Sequence, residues 1–315
     1  STMDHPRKAF NLLAVPLITF SLFLCFFGAA QAAWVMEYSG SMSPNHHDIG
    51  FSRPQAIAYE ARSGELCVTD EGARELRVYS SEGLFTYATG SLSELSQPAS
   101  AALDAFGGFF FTDSDEGFGR TVRHLNYRGE PVNYPVEVPA AGWRPHQLIV
   151  TRDGGVVTFD PEAVLLAKHD GGTGALIWQR RIGEEVRGED GLDNLVFGRP
   201  AEAPDGKLYL PCASLHLVYV LDAAGKTLTS FGEFSTIRGG MVFPVGVAFG
   251  PENTILVLDR MRHLVLLFDS GHRFLAEYGG FGDAPGRFYH PAAIGVAAGG
   301  RGSVCSLYPP AAPAD

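Results

Sequence analysis

The chain has 315 residues, and its composition excludes several classes of protein. Hydrophobic residues make up 45%, which excludes intrinsic disorder, and a formal net charge of −11 provides no basic surface for a nucleic-acid backbone. Four cysteines without a C-x-x-C pair exclude a zinc ribbon and a disulfide-dense small protein. With 38 Gly, 20 Pro and only 19% charged residues, the chain favours short strands and many turns over long surface helices.

The first 32 residues have the pattern of an export signal. Arg7 and Lys8 precede an apolar run over residues 9–30, which ends in the small-x-small sequence Ala30-Gln31-Ala32 that a signal peptidase accepts. We therefore expect residues 1–32 to be a signal peptide and the protein to be secreted or periplasmic. The alternative is an uncleaved membrane anchor, because the run approaches the roughly twenty residues needed to span a bilayer.

A repeat runs through the rest of the chain and predicts its fold. Each unit begins with a proline followed by an alternating apolar strand, and successive prolines lie 44 to 55 residues apart. The six prolines are Pro54, Pro98, Pro145, Pro200, Pro244 and Pro291. Each unit has room for four short antiparallel strands, which form the blade of a β-propeller. We predict an all-β, six-bladed β-propeller over residues 33–308, followed by a Pro/Ala-rich tail over residues 309–315.

In four units the second strand ends in an aspartate, 15 or 16 residues after the proline. These aspartates are Asp70, Asp113, Asp160 and Asp259. Because each one precedes a polar turn, we expect its carboxylate to accept hydrogen bonds from turn N–H groups and to have a structural role. Units four and six depart from the pattern, since Cys212 and Ser306 occupy the same position.

This order of proline, apolar strand, aspartate and polar turn resembles the NHL-repeat family of six-bladed propellers, in its exported, bacterial form. The resemblance covers about residues 34–308 and is strongest in units one and five. Unit three departs most, because residues 166–178 look more like a blade of the PQQ-type propellers. The resemblance implies a rigid ring whose loops serve recognition or catalysis, so the function has to be argued from a site.

The two ends of the chain predict how the ring closes. Residues 34–40 align with residues 274–280, the outer strand of unit five, and both segments lead to a repeat proline. We therefore expect the N-terminal strand to close the ring as the outer strand of the last blade, which would otherwise leave an open edge. About 24 residues follow Pro291, enough for two strands, so either the sixth blade is reduced or the natural chain continues past residue 315.

The residues directly before the six prolines are expected to surround one mouth of the central channel. They are Arg53, Gln97, Arg144, Arg199, Phe243 and His290. From this set we select as candidate ligand-binding residues the three arginines and the histidine: Arg53, Arg144, Arg199 and His290. We add His146, which follows Pro145. Arginine binds carboxylates and phosphates through a planar fork. The alternative is that the arginines pair with the strand-end aspartates on the same face and tie neighbouring blades together.

No catalytic motif is present, so the sequence predicts no catalytic residue, no metal site and no cofactor. Peptide-amidating lyases are similar propellers that hold a metal on several inner-strand histidines, but only His146 stands at such a position here. The equivalent residues are Gln55, Ala99, Ala201, Val245 and Ala292. We therefore predict a binding or scaffolding module for a protein partner or a small anionic ligand, with no nucleic acid bound. The alternative is a metal-dependent lyase or a lactonase-like hydrolase with its site in the channel.

Overall fold

The structure, a computed structural model, describes residues 51–60, 63–89, 95–115, 121–182, 195–282, 284 and 286–296. It also gives the backbone of four further strands: β1 (Lys8–Ala9), β2 (Phe20–Phe26), β3 (Ala33–Gly40) and β25 (Gly302–Ser306). The only helical segment in this part of the chain is a short 3-10 turn, Pro251–Asn253. Among the described residues, no helix is both long and apolar enough to cross a membrane.

Five sheets each contain four antiparallel strands in sequence order, and each sheet is one unit of the repeat. Blade one contains β4 (Pro54–Tyr59), β5 (Leu66–Asp70), β6 (Glu75–Tyr79) and β7 (Phe85–Thr89). Blade two contains β8 (Pro98–Leu103), β9 (Phe109–Asp113), β10 (Val122–Leu125) and β11 (Pro131–Val132). Blade three contains β12 (Gln147–Val150), β13 (Val156–Asp160), β14 (Leu165–His169) and β15 (Leu176–Arg181). Blade four contains β16 (Ala201–Glu202), β17 (Leu208–Cys212), β18 (Leu217–Leu221) and β19 (Thr227–Phe231). Blade five contains β20 (Pro244–Phe249), β21 (Ile255–Asp259), β22 (Leu264–Phe268) and β23 (Phe274–Gly279).

The sixth unit forms a two-stranded sheet of β24 (Pro291–Val296) and β25. Its inner strand β24 lies between the inner strands of blades five and one. The N-terminal strand β3 pairs with β2, and β2 lies beside β25. The propeller of four-stranded antiparallel blades is therefore confirmed, while six full blades and ring closure by the N-terminal strand remain predictions. The predicted signal peptide and tail fall mostly outside the described residues.

Adjacent blades are held together by apolar faces packed against each other. One core cluster joins blades one and two through side chains such as Val78 and Phe109, and another joins blades three and four through Phe159 and Leu210. A third cluster packs Ile294 of β24 against residues of blades five and one. Because the middle strands β5, β9, β13, β17 and β21 are buried at every position, a single blade cannot be stable without its neighbours. Cys67 and Cys212 lie in this core as free, buried thiols.

The four strand-end aspartates have the structural role that the sequence predicted. Each is at most 1% exposed and accepts backbone N–H groups from its own turn and from the segment leading into its own blade. Asp259 accepts four such bonds, from Val242, Phe243, Met261 and Arg262. The carboxylate thus fixes the position of the residue before the repeat proline, which lies at the channel mouth.

We expect Asp259→Asn to lower the free energy of unfolding by about 2–4 kcal/mol, because the amide nitrogen cannot accept the N–H groups that the lost oxygen held. Asp222→Asn is the matched control, since Asp222 caps an exposed turn. That change is expected to stay within about 0.5 kcal/mol. Urea unfolding followed by circular dichroism measures both. Equal losses in the two variants would contradict the structural role of the buried carboxylate.

Candidate functional site

The channel mouth is built from two sets of short segments on the same face of the ring. One set leads into the inner strands, and the other follows the second strand of each blade. They are joined by backbone hydrogen bonds: the N–H of Glu71 donates to the carbonyl of Arg53 at 3.0 Å, and the N–H of Arg260 donates to that of Phe243 at 3.0 Å. The residue before each proline and the residue after each strand end are therefore neighbours at the mouth.

Arg53 and Arg144 lie on the exposed rim of this mouth, with side chains 58% and 47% exposed. Their backbone N–H groups donate to Asp70 and Asp160, whereas their guanidinium groups face other carboxylates. Arg53 pairs with Glu71 at 2.8 Å, and Arg144 lies 3.7 Å from Glu162. These two side chains therefore do not pair with the strand-end aspartates, which was the alternative prediction. The Arg144–Glu162 pair is exposed on both sides, and such pairs contribute only about 0–1 kcal/mol. The carboxylate of Glu71 is only 19% exposed and also accepts a hydrogen bond from Gln55.

Arg199 differs from the other candidates because its side chain enters the channel. Its guanidinium donates to backbone carbonyls of three other blades, those of Ile57, Ala101 and Leu148. Among the described residues, no carboxylate pairs with it. Loss of hydration in the channel lowers the pKa of Arg199 to about 10, with the neighbouring Cys67 opposing this shift. The side chain is therefore still charged at neutral pH, and no described side chain provides a counterion for it in the channel.

The path of Arg199 follows from the missing aspartate of unit four. Where units one, two, three and five have a carboxylate to hold the segment before the proline, unit four has Cys212, which is apolar and buried. The N–H of Arg199 donates instead to the carbonyl of Val245 in blade five, at 3.1 Å. Gly198 permits this close approach, since a Cβ there would lie 2.1 Å from the Val245 oxygen. The backbone is thus displaced towards the next blade, and the side chain projects across the channel.

The two candidate histidines lie at different places on the mouth. His146 is exposed at the start of the segment that enters blade three, where its N–H donates to the carbonyl of Phe159 at 2.9 Å. His290 is half-buried, with a positive φ of 46°, and its N–H donates to Nδ1 of His263 at 3.1 Å. This bond requires Nδ1 of His263 to be unprotonated. Burial, followed by repulsion from His290, lowers the pKa of His263 below its usual value, and Asp259 opposes the shift.

Sequence reasoning missed one cation of the mouth, Arg260. It directly follows the strand-end Asp259, and its Nε donates to the carbonyl of Pro291 at 3.3 Å, which joins blade five to the next unit. The sequence signal that could have identified Arg260 is its position immediately after the repeat aspartate. Within the described part of the chain, no three His, Cys, Asp or Glu side chains come together in a group that could hold a metal ion.

Two clefts among the described residues lie on the opposite face of the ring. One, of about 350 Å³, is between blades three and four and is lined by polar residues that include Lys168 and Glu202. The other, of about 150 Å³, is between blades four and five, beside Tyr209 and His272. Both are formed by the turns that follow the inner strands. None of the predicted site residues lines either cleft, so the mouth and the clefts are separate features.

Comparison with known proteins supports the fold and leaves the function open. None of the known protein-family profiles matches the sequence. The chain is 33% identical over 66 residues to Protein brain tumor of Drosophila melanogaster, a match that covers 21% of this chain and only 6% of that protein.

Several solved structures have a similar fold. The chain is 13% identical to virginiamycin B lyase from Staphylococcus aureus, with a TM-score of 0.54 over 77% of this chain and 73% of that one. A catalytically inactive histidine-to-alanine variant of the same lyase, bound to Quinupristin, has a TM-score of 0.57, 12% identity and coverage of 98% and 97%. Hydrazine synthase of Kuenenia stuttgartiensis is equally similar, with a TM-score of 0.55, 12% identity and the same coverage. At such identities the similarity shows the β-propeller fold alone.

We expect the imidazole of His263 to titrate below the ordinary histidine pKa of about 6.5, because its Nδ1 must stay unprotonated to accept the N–H of His290. Replacing His290 with Asn, which tolerates a positive φ, removes the repulsive ring charge and is expected to raise this pKa towards its usual value. NMR titration of the histidine ring protons measures both midpoints. A midpoint in the wild-type protein at or above 6.5, or no upward shift in the variant, would contradict the contact.

Proposed function

We propose that this protein is an exported, NHL-type β-propeller that acts as a binding module, and that its channel mouth takes an anionic ligand. The ligand is either a small acidic molecule or an acidic segment of a protein partner. The observation that carries the proposal is the charge of Arg199, which has no carboxylate partner among the described residues. Partly buried charges are usually compensated by an opposite charge, and an incoming anion would provide one.

The surroundings of Arg199 strengthen its attraction for an anion. The channel walls are protein of low dielectric constant, so the charge is less screened there than on an open surface. Arg53 and Arg144 on the rim add two more exposed guanidinium groups. Arg53 is paired with the partly covered Glu71, and Arg144 with the exposed Glu162. An anion at the mouth would therefore meet rim arginines first and the charge of Arg199 below them.

The remaining features of the sequence support an extracytoplasmic role. The pattern of residues 1–32 supports export, and it is the only segment through which we propose membrane contact. The net charge of −11 argues against nucleic acid as a partner. The repeat pattern and the fold support the NHL-type assignment, together with the short match to the Drosophila protein.

The proposal is tested by titrating citrate and a poly-glutamate peptide into the protein, with binding followed by calorimetry. We expect the double variant Arg53→Gln/Arg144→Gln to weaken binding about tenfold or more, because it removes two charges that the anion meets, and binding to fall as salt is added. Arg180→Gln/Arg181→Gln is the matched control, since it removes the same charge from the exposed outer strand β15. Equal effects of the two double variants, or no binding by the wild-type protein, would refute the mouth as an anion site.

A lyase or hydrolase remains the second candidate, favoured by the fold shared with virginiamycin B lyase and by His146 and His290 at the mouth. An inactive variant of that enzyme carries a histidine-to-alanine change and binds Quinupristin. Incubation of the present protein with Quinupristin, followed by mass spectrometry, tests the activity directly: ring opening by elimination leaves the mass unchanged but alters retention, and hydrolysis adds one water. Stoichiometric Zn or Ca in the purified protein by elemental analysis would favour this candidate over simple binding.

A further inference from the structure

Three backbone carbonyls face the same point in the channel, from the inner strands of three consecutive blades. They belong to Ile57, Ala101 and Leu148, each the third residue after its repeat proline. Inner strands have no further strand beside them, so this edge presents unpaired C=O groups to the channel. We call these three oxygens the carbonyl cradle. Unpaired carbonyls in a confined channel carry a free-energy cost unless a donor reaches them.

The guanidinium of Arg199 donates hydrogen bonds to all three oxygens of the carbonyl cradle. Its Nε and Nη2 both donate to the Leu148 oxygen, at 3.2 and 3.0 Å, and Nη2 also donates to the Ala101 oxygen at 3.0 Å. Its Nη1 donates to the Ile57 oxygen. A guanidinium has five N–H donors in one plane, and four of them are used here. The hydroxyl of Ser100 donates to the same Leu148 oxygen at 3.3 Å and helps to hold it in place.

The backbone of Arg199 belongs to a different blade from the three that form the carbonyl cradle. Its backbone belongs to the segment entering blade four and is bonded to Val245 of blade five, while its side chain contacts blades one, two and three. One residue therefore connects five units across the axis. No covalent bond or strand exchange within the described residues makes an equivalent connection.

We propose that the carbonyl cradle is a binding site for a guanidinium group, occupied in the native protein by Arg199 as an internal ligand that ties the blades together. The class of ligand it takes is a planar guanidinium, free or monoalkylated. An ammonium ion is a poor substitute, because it is a compact, strongly hydrated charge whose donors do not lie in one plane. The inference does not depend on anion binding at the mouth, since it concerns only the contacts below the rim.

The test removes the internal ligand and supplies it from solution. We expect Arg199→Ala to lower Tm by about 5 °C or more, because the carbonyls of Ile57 and Ala101 lose their donor and that of Leu148 keeps only the hydroxyl of Ser100. Ethylguanidinium chloride at millimolar concentration is expected to restore part of the lost Tm with saturable dependence, because it replaces the missing end of the side chain. Ethylammonium chloride and sodium chloride at the same concentrations are expected to give no saturable rise. Arg199→Lys is expected to remain destabilised.

Arg144→Ala is the matched control, because Arg144 also precedes a repeat proline but lies on the exposed rim. We expect it to keep a Tm close to that of the wild-type protein and to show no rescue by ethylguanidinium. The inference is overturned if Arg199→Ala is as stable as Arg144→Ala, or if ethylguanidinium and ethylammonium act on it equally. All measurements are made with chloride as the only added anion. A negative result therefore concerns the carbonyl cradle alone, whereas the citrate titration of the rim variants tests anion binding at the mouth.

If Arg199→Ala does not fold, the wild-type protein provides a second measurement. With ¹⁵N-labelled arginine, the Nε–H of Arg199 is expected to exchange with solvent much more slowly than the Nε–H of exposed arginines such as Arg180, because it is bonded within the channel. Exchange of the Arg199 signal as fast as that of Arg180 would overturn the inference.

Discussion

The interaction on which this propeller depends is a buried carboxylate that accepts the backbone N–H groups of the segment leading into its own blade. Asp70, Asp113, Asp160 and Asp259 each do this, and each thereby fixes where the inner strand of its own blade begins. Charge-assisted hydrogen bonds of this kind are stronger than bonds between neutral groups. The regular placement of the mouth residues is a consequence of this repeated contact.

The absence of this carboxylate contact in unit four accounts for the different position of Arg199. Unit four has Cys212 in place of the aspartate, so its segment is held by Val245 of the next blade, and Arg199 enters the channel. Unit six also lacks the aspartate, and there the N–H of His290 is accepted by His263 of blade five. In both units the missing carboxylate is replaced by a partner from a neighbouring blade. Each of these two departures from the repeat therefore coincides with a backbone contact to a neighbouring blade.

The blades could be predicted from the sequence because their signals are local. A proline at each strand start and an aspartate at each strand end constrain the backbone within one unit, and their spacing is visible without a structure. The entry of the Arg199 side chain into the channel could not be predicted. It depends on the carbonyls of Ile57, Ala101 and Leu148, which are distant from Arg199 in sequence. The partner of Arg53 was missed for a different reason: the side chain reaches Glu71 rather than the expected Asp70, and the sequence does not show which of two adjacent carboxylates it meets.

The crossing of the channel by Arg199 has a consequence for how any occupant behaves. A side chain bonded to carbonyls of three other blades lies across the channel and narrows the path from one face to the other. If the mouth binds an anion as proposed, the ligand would enter and leave through the arginine-lined opening.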